Sequence, residues 1–454
     1  MDCVIRNGTV VTEAECVVAD VGIAGEKIAA IGTALHAEQS VDATGQYVFP
    51  GFVDAHVHLQ MTIGDITSAD DFSTGTLAAA CGGTTTVMDF SSNYRGDDLR
   101  AGADARRAQA DGRVAVDYTL HLTLPDAAPA TLTHLARLAS EGYASAKLYT
   151  TYPGLRLEDD EMLRLLDATS ACGILPMVHT ENHAAIAYLT ERLLSQGKTA
   201  PRYHPESRPP LVEAEAAQRV AMLAQMVGAP WYIAHVTCRE TLEAVRAARQ
   251  RGQSVYAETC PHYLLLSEED CRRPDFEGAK FVLSPPLRDS ANWDVLWQAL
   301  ASGEVQTVST DHCPWHFETQ KVRGRDSFAQ IPNGAPGIET RVPLLFSAGV
   351  GAGRLTLQQF VRVCATEPAR LFGVYPRKGT IAVGSDADLV IFDPHRQVTL
   401  SARALHQSVD YNPYEGRIVR GYPRTVFLRG KMIVDHGEFV GRIGQGQFIP
   451  ARLP

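Results

Sequence analysis

Eight short apolar runs recur through the middle of this chain and alternate with stretches of helical spacing: "YVFPGFVDAHVH", "TTTVMDF", "VAVDYTLH", "SAKLYT", "ILPMVHT", "WYIAHVT", "SVYAET" and "VQTVSTD". Strands this continuous in apolar and β-branched residues belong in a parallel sheet covered on both faces. Eight such units in about three hundred residues predict an α/β architecture closed as a (β/α)8 TIM barrel. The intervening stretches agree, since "LEDDEMLRLLDATSACG" carries leucines at helical spacing and a glycine near its end. The competing architecture is an open doubly wound sheet, but no G-x-G-x-x-G follows the first strand.

The two chain ends follow another rhythm. "CVIRNGTVV", "VVADVGIAG" and "KIAAIGT" at the start, and "KGTIAVGSDADLVIFDP" and "RTVFLRGKMIVDHGEFV" near the end, are short alternating runs broken by Gly, Asn and Asp. They are expected to pair into one small β-sandwich domain, residues 1–50 plus 375–454, around a barrel spanning 51–374. The tail "GQGQFIPARLP" is read as reaching a neighbouring subunit.

Composition excludes several function classes. Acidic residues outnumber basic ones, 52 against 42, and the formal charge of −10 is spread along the chain, so no nucleic-acid partner is expected. No run approaches the roughly 20 apolar residues of a membrane helix and no signal-peptide pattern opens the chain, which predicts a cytoplasmic protein without a membrane partner. The nine cysteines are scattered with no C-x-x-C pair and are expected to be reduced.

Polar residues interrupt the strand candidates at their C-terminal ends. His56 and His58 end the first, Lys147 sits in the fourth, and His179, His235 and Asp311 end the fifth, sixth and eighth. In a parallel barrel these ends meet on one face. Residues two apart on a strand point the same way, so His56 and His58 begin a chelate. Taken singly, each has a plainer reading: histidines in the core, a lysine in an ion pair or Schiff base, an aspartate capping a helix. Their coincidence at one end of the barrel selects a metal site. Four imidazoles and a carboxylate are too many ligands for one tetrahedral zinc and suit two divalent ions. Ions ~3.5–4 Å apart need a bridging anion, and a carbamate formed from the Lys147 amine and CO2 would supply one.

These residues sit in motifs that resemble the dihydropyrimidinase and D-hydantoinase branch of the cyclic amidohydrolases: "FPGFVDAHVH", "SAKLYTTY", "MVHTEN", "ETCPHYLLL", "FVLSPPLR", "STDHC" and "IPNGAPGIETR", in family order along nearly the whole chain. The resemblance implies that His56, His58 and Asp311 hold one zinc and His179 and His235 the other. It implies that Lys147 is N6-carboxylated and bridges them, with Mn2+ or Co2+ as alternative ions. A shared hydroxide is the implied nucleophile, Asp311 carries its proton to the leaving nitrogen, and Tyr152 polarises the scissile carbonyl. The main chains at Ser284 and Asn333 are implied to hold the ring amide. The expected substrate is a small cyclic amide, a 5-substituted hydantoin or a dihydropyrimidine opened to an N-carbamoyl amino acid, and the expected assembly is a homotetramer. Gln60 stands where dihydroorotases place an arginine, and Lys147 with Tyr152 argues against an allantoinase. Retention of all six ligands argues against the non-enzymatic collapsin-response-mediator scaffolds. Met61, Ile63, Tyr149, Leu155 and Arg156 are expected to shape the pocket for the exocyclic substituent, with Arg156 either solvated or selecting polar groups.

Overall fold

The computed structural model of the chain describes residues 1–453; Pro454, the last residue of the range expected for the small domain, lies outside the described residues. Eight strands follow one another in a single sheet: β1 (Phe52–Asp54), β2 (Thr84–Phe90), β3 (Asp117–Thr123), β4 (Ser145–Tyr149), β5 (Leu175–His179), β6 (Trp231–Ile233), β7 (Val255–Thr259) and β8 (Thr307–Val308). All neighbours are parallel. Val57 bridges His312, and the His58 N–H donates to the His312 carbonyl at 2.8 Å, so the sheet closes where the chain leaves β1 and β8. The expected barrel is present.

Burial on both faces explains the strand composition. Every residue of β2 and β3 is buried. Val53, Ala55, Met88, Met177 and Tyr232 fill the barrel interior with Phe372 and Ile449, whereas Phe52, Val57, Val87, Val178 and Ile233 pack against the surrounding helices. An eight-stranded barrel is just wide enough for side chains to fill it. The helix Asp159–Ala171 shows how the connecting segments are specified: the Glu158 N–H donates to the Glu161 carboxylate at its start, and Met162, Leu165, Leu166 and Thr169 form its buried stripe.

Both chain ends join in one nine-stranded mixed sheet. Tyr47–Pro50 pairs antiparallel with Leu389–Phe392, and this seam unites the N-terminal and C-terminal strands. Gly51 links that sheet to β1; a Cβ there would lie 2.0 Å from the Thr85 hydroxyl, so only glycine permits the approach. The tail does not extend away from its own chain between 444 and 452. It lies along the barrel, where the Gly446 N–H donates to Val114, the Ile449 N–H to Tyr118 and the Ala451 N–H to Gly142. Carbonyls at the start of β3 and before β4 need donors, and the tail supplies them. Among the described residues no helix is long and apolar enough to cross a membrane.

Candidate metal centre and active site

The ladder of β1 stops at Asp54, yet its period of two persists: Val57 packs outward while His56 and His58 face one cavity, ring centroids 5.2 Å apart. Asp311, just past β8, places Oδ1 3.1 Å from His58 Nε2 and 3.3 Å from His56 Nε2. His179, the last residue of β5, and His235, just past β6, have ring centroids 4.6 Å apart. Lys147 reaches into the same cluster from β4, its Nζ 3.2 Å from His56 Nε2. All six residues line a cavity of about 520 Å³, as do Tyr152, Ser284 and Asn333. Met61, Ile63, Tyr149 and Leu155 line it too. Arg156 instead pairs with Glu158 at 2.6 Å on the outer side of its loop.

Burial sets the charge states. His56 and His235 are held well below the usual imidazole range by desolvation first and by the neighbouring Lys147 and imidazoles second, and His179 is lowered by desolvation against the opposing pull of Glu181. Neutral imidazole is the form that binds metal. Asp311 would be raised by burial, but His56 and His58 hold it below the ordinary carboxylate range. Desolvation lowers the Lys147 amine to about 8 against the pull of Asp311 and Glu258, so far more of it is unprotonated near neutrality than of an exposed lysine.

Three residues of the site hold strained backbone. Tyr152, His235 and Asp311 have φ of +74°, +40° and +48°; this left-handed region costs an L-residue roughly 1–2 kcal/mol, and such outliers gather where surrounding structure fixes side chains for function.

Two carboxylates not singled out in the sequence stand behind the histidines. Glu258 in β7, fully buried, accepts from His56 Nδ1 at 2.8 Å, from the Tyr232 hydroxyl at 2.9 Å and from the His235 N–H at 3.1 Å. That contact puts the His56 proton on Nδ1 and leaves Nε2 free for a metal. Glu181 accepts from His179 Nε2 at 2.7 Å and from Arg208 at 2.7 Å. Burial would raise Glu181, but Arg208 and His179 bring it down to about 2. The signals were an acid inside a buried strand run and an acid two residues beyond a strand-end histidine.

The residues fit a divalent pair. His235 Nδ1 is buried with no hydrogen-bond partner, and the Lys147 amine has only an imidazole nitrogen and the Met177 sulfur, at 3.8 Å, within reach. An anion on that lysine and cations among the imidazoles would satisfy both.

The model of the amidohydrolase family matches residues 47–433. The chain belongs to that family. Along its full length this amidohydrolase is 48% identical to a D-hydantoinase of Ralstonia pickettii, covering 100% of this chain and 99% of that one. It is 47% identical to a D-hydantoinase of Rhizobium radiobacter, covering 99% and 98%. A solved D-hydantoinase structure, 48% identical, superposes with a TM-score of 0.98 over 100% of this chain and 99% of that chain. Within the amidohydrolases the chain is thus a member of the D-hydantoinase and dihydropyrimidinase branch, a family that uses divalent metal.

Proposed function

We propose that this enzyme opens the ring of 5-substituted hydantoins or dihydropyrimidines by hydrolysis, yielding N-carbamoyl amino acids. The D-hydantoinase relatives support a cyclic amide substrate and a preference for the D configuration. In this reading His56, His58 and Asp311 would hold one ion and His179 and His235 the other, with N6-carboxylated Lys147 as their shared anionic ligand. The borderline-soft imidazole set favours Zn2+. Such a pair would supply a water acidified to near neutral pH and Lewis acidity for the amide oxygen.

The chain's own groups do the rest. The main chains at Ser284 and Asn333 grip the ring amide, and the Tyr152 hydroxyl donates to the scissile carbonyl as its oxygen gains charge. Burial raises that phenol well above its ordinary value, so it stays protonated for the task. Asp311 takes the proton of the attacking water and delivers it to the ring nitrogen as the C–N bond breaks; the water oxygen ends in the new carboxylate. Met61, Ile63 and Leu155 make the substituent end of the cavity apolar, which favours apolar 5-substituents. The same reading assigns 1–50 plus 375–454 to the small domain and 51–374 to the barrel, a homotetramer, and a cytoplasmic setting for nine free cysteines.

One observation carries the proposal: a buried lysine without a carboxylate partner, set among four imidazoles and an aspartate. Lys147→Ala should abolish hydantoin hydrolysis and lower bound metal from about two ions per chain. Retention of both ions and of full activity in that variant refutes the bridge.

A further inference from the structure

Arg106, Arg288, Arg341, Lys378 and Arg429 are buried cations, and each is ion-paired with a buried carboxylate. Among the described residues two buried amines are not. Lys147 is accounted for by the metal site. Lys321, at 0% exposure, is the other.

Its amine donates to two main-chain carbonyls, Val282 at 2.9 Å and Pro332 at 3.0 Å. One precedes Leu283 and Ser284, the other directly precedes Asn333. The two segments touch: the Gly334 N–H donates to the same Val282 carbonyl at 3.1 Å, and Trp315 Nε1 donates to the Asn333 carbonyl at 2.8 Å. Val282 and Ile331 belong to an apolar cluster with Phe328 and Leu193. Burial lowers the Lys321 amine to about 7; a neutral amine needs no counter-ion and still has two N–H groups for two carbonyls. An apolar side chain of equal length would fill the space with nothing polar to desolvate. What the amine adds is a fixed direction for two carbonyls in adjoining segments that line the substrate pocket.

We propose that Lys321 is a positioning residue that sets the spacing of segments 282–284 and 332–333, the two stretches of main chain that grip the substrate's ring amide. It rests on the reading of Ser284 and Asn333 given above. Contacts that hold the ring in place act alike in ground and transition state, so loosening them raises KM and leaves kcat.

The test is steady-state hydantoin hydrolysis by the metal-loaded enzyme, with metal content and thermal unfolding measured alongside. Lys321→Met should raise KM about tenfold, keep kcat within about twofold and retain the wild-type metal content. A KM equal to wild type, with or without a lower Tm, makes the residue merely structural and overturns the proposal. Should Lys321→Met fail to fold, Lys321→Gln keeps two N–H groups on a shorter arm and should raise KM about threefold; an unchanged KM there overturns it equally. A crystal structure of the wild-type enzyme with a bound cyclic imide separates the two levels. Ring amide on segments 282–284 and 332–333 with an unchanged KM in Lys321→Met refutes only the role of Lys321, whereas a ring held elsewhere refutes the underlying reading.

Discussion

Replacing Glu258 by Gln should weaken metal binding on the His56 side while leaving the barrel folded. The carboxylate sits at 0% exposure and accepts from His56 Nδ1, the Tyr232 hydroxyl and the His235 main chain. A carboxamide keeps the volume and one acceptor oxygen, so no cavity opens. The bond to His56 loses its charge, and charge-assisted hydrogen bonds are roughly twice as strong as neutral ones. The new NH2 group faces the Tyr232 hydroxyl, which can still donate to Thr307 Oγ1 at 2.5 Å and accept from the amide. The net loss is therefore about half of one charge-assisted hydrogen bond, ~0.7–1.5 kcal/mol, or roughly 3- to 10-fold in metal affinity, toward the low end of what altering a carboxylate behind a ligating histidine costs. Glu258→Ala is the poorer probe, because it also opens a cavity and orphans three donors. Chelator competition followed by metal analysis reads the affinity, and a thermal melt of the metal-loaded protein checks the fold. Binding of both ions within about twofold of wild type in Glu258→Gln would show that the carboxylate does not tune the centre.

Two further outcomes follow from the pocket and from the buried imidazoles. Leu155→Ala removes three carbons from the cavity wall; at ~0.8 kcal/mol per methylene, discounted for its half-exposed position, kcat/KM for branched aliphatic 5-substituents should fall about tenfold with that for unsubstituted hydantoin unchanged, and equal losses on both substrates would place the leucine outside the substituent pocket. His204 is lowered to about 3, by burial first and by Arg208 second, while its Nε2 donates to the Leu283 carbonyl at 2.8 Å. The unfolded chain protonates this residue near 6.5 and the folded one only near 3, so stability is lost as pH falls through that window by about 1.4 kcal/mol per pH unit. His204→Gln keeps a donor for Leu283 and should flatten the slope of denaturation midpoint against pH by about one proton between 6 and 4; an unaltered slope would show the imidazole to be protonated in the fold.

What could be read before any coordinates follows from how local each signal is. Barrel strands are buried on both faces, so β2 and β3 announce themselves as unbroken runs, and a histidine closing such a run is a departure visible in a dozen residues. The six ligand candidates were legible for that reason. The carboxylates behind them were not: Glu258 meets His56 from 202 positions away, and an acid in a strand could as readily have been a surface residue until its partners were placed around it. Tyr152 was reached only through resemblance. Nothing in its neighbourhood separates it from 14 other tyrosines, and what sets it apart is a backbone φ of +74° that brings its ring to 5.0 Å from His179. Lys321 was hidden more deeply, because "HFETQKVRGRDSF" has the charge density of a solvated loop. Its burial depends on the carbonyls of Val282 and Pro332 being brought within reach of its amine. A lone charge in a polar stretch is ordinarily left to water, so the residues that shape this pocket from behind are the ones whose sequence context argues most strongly for exposure.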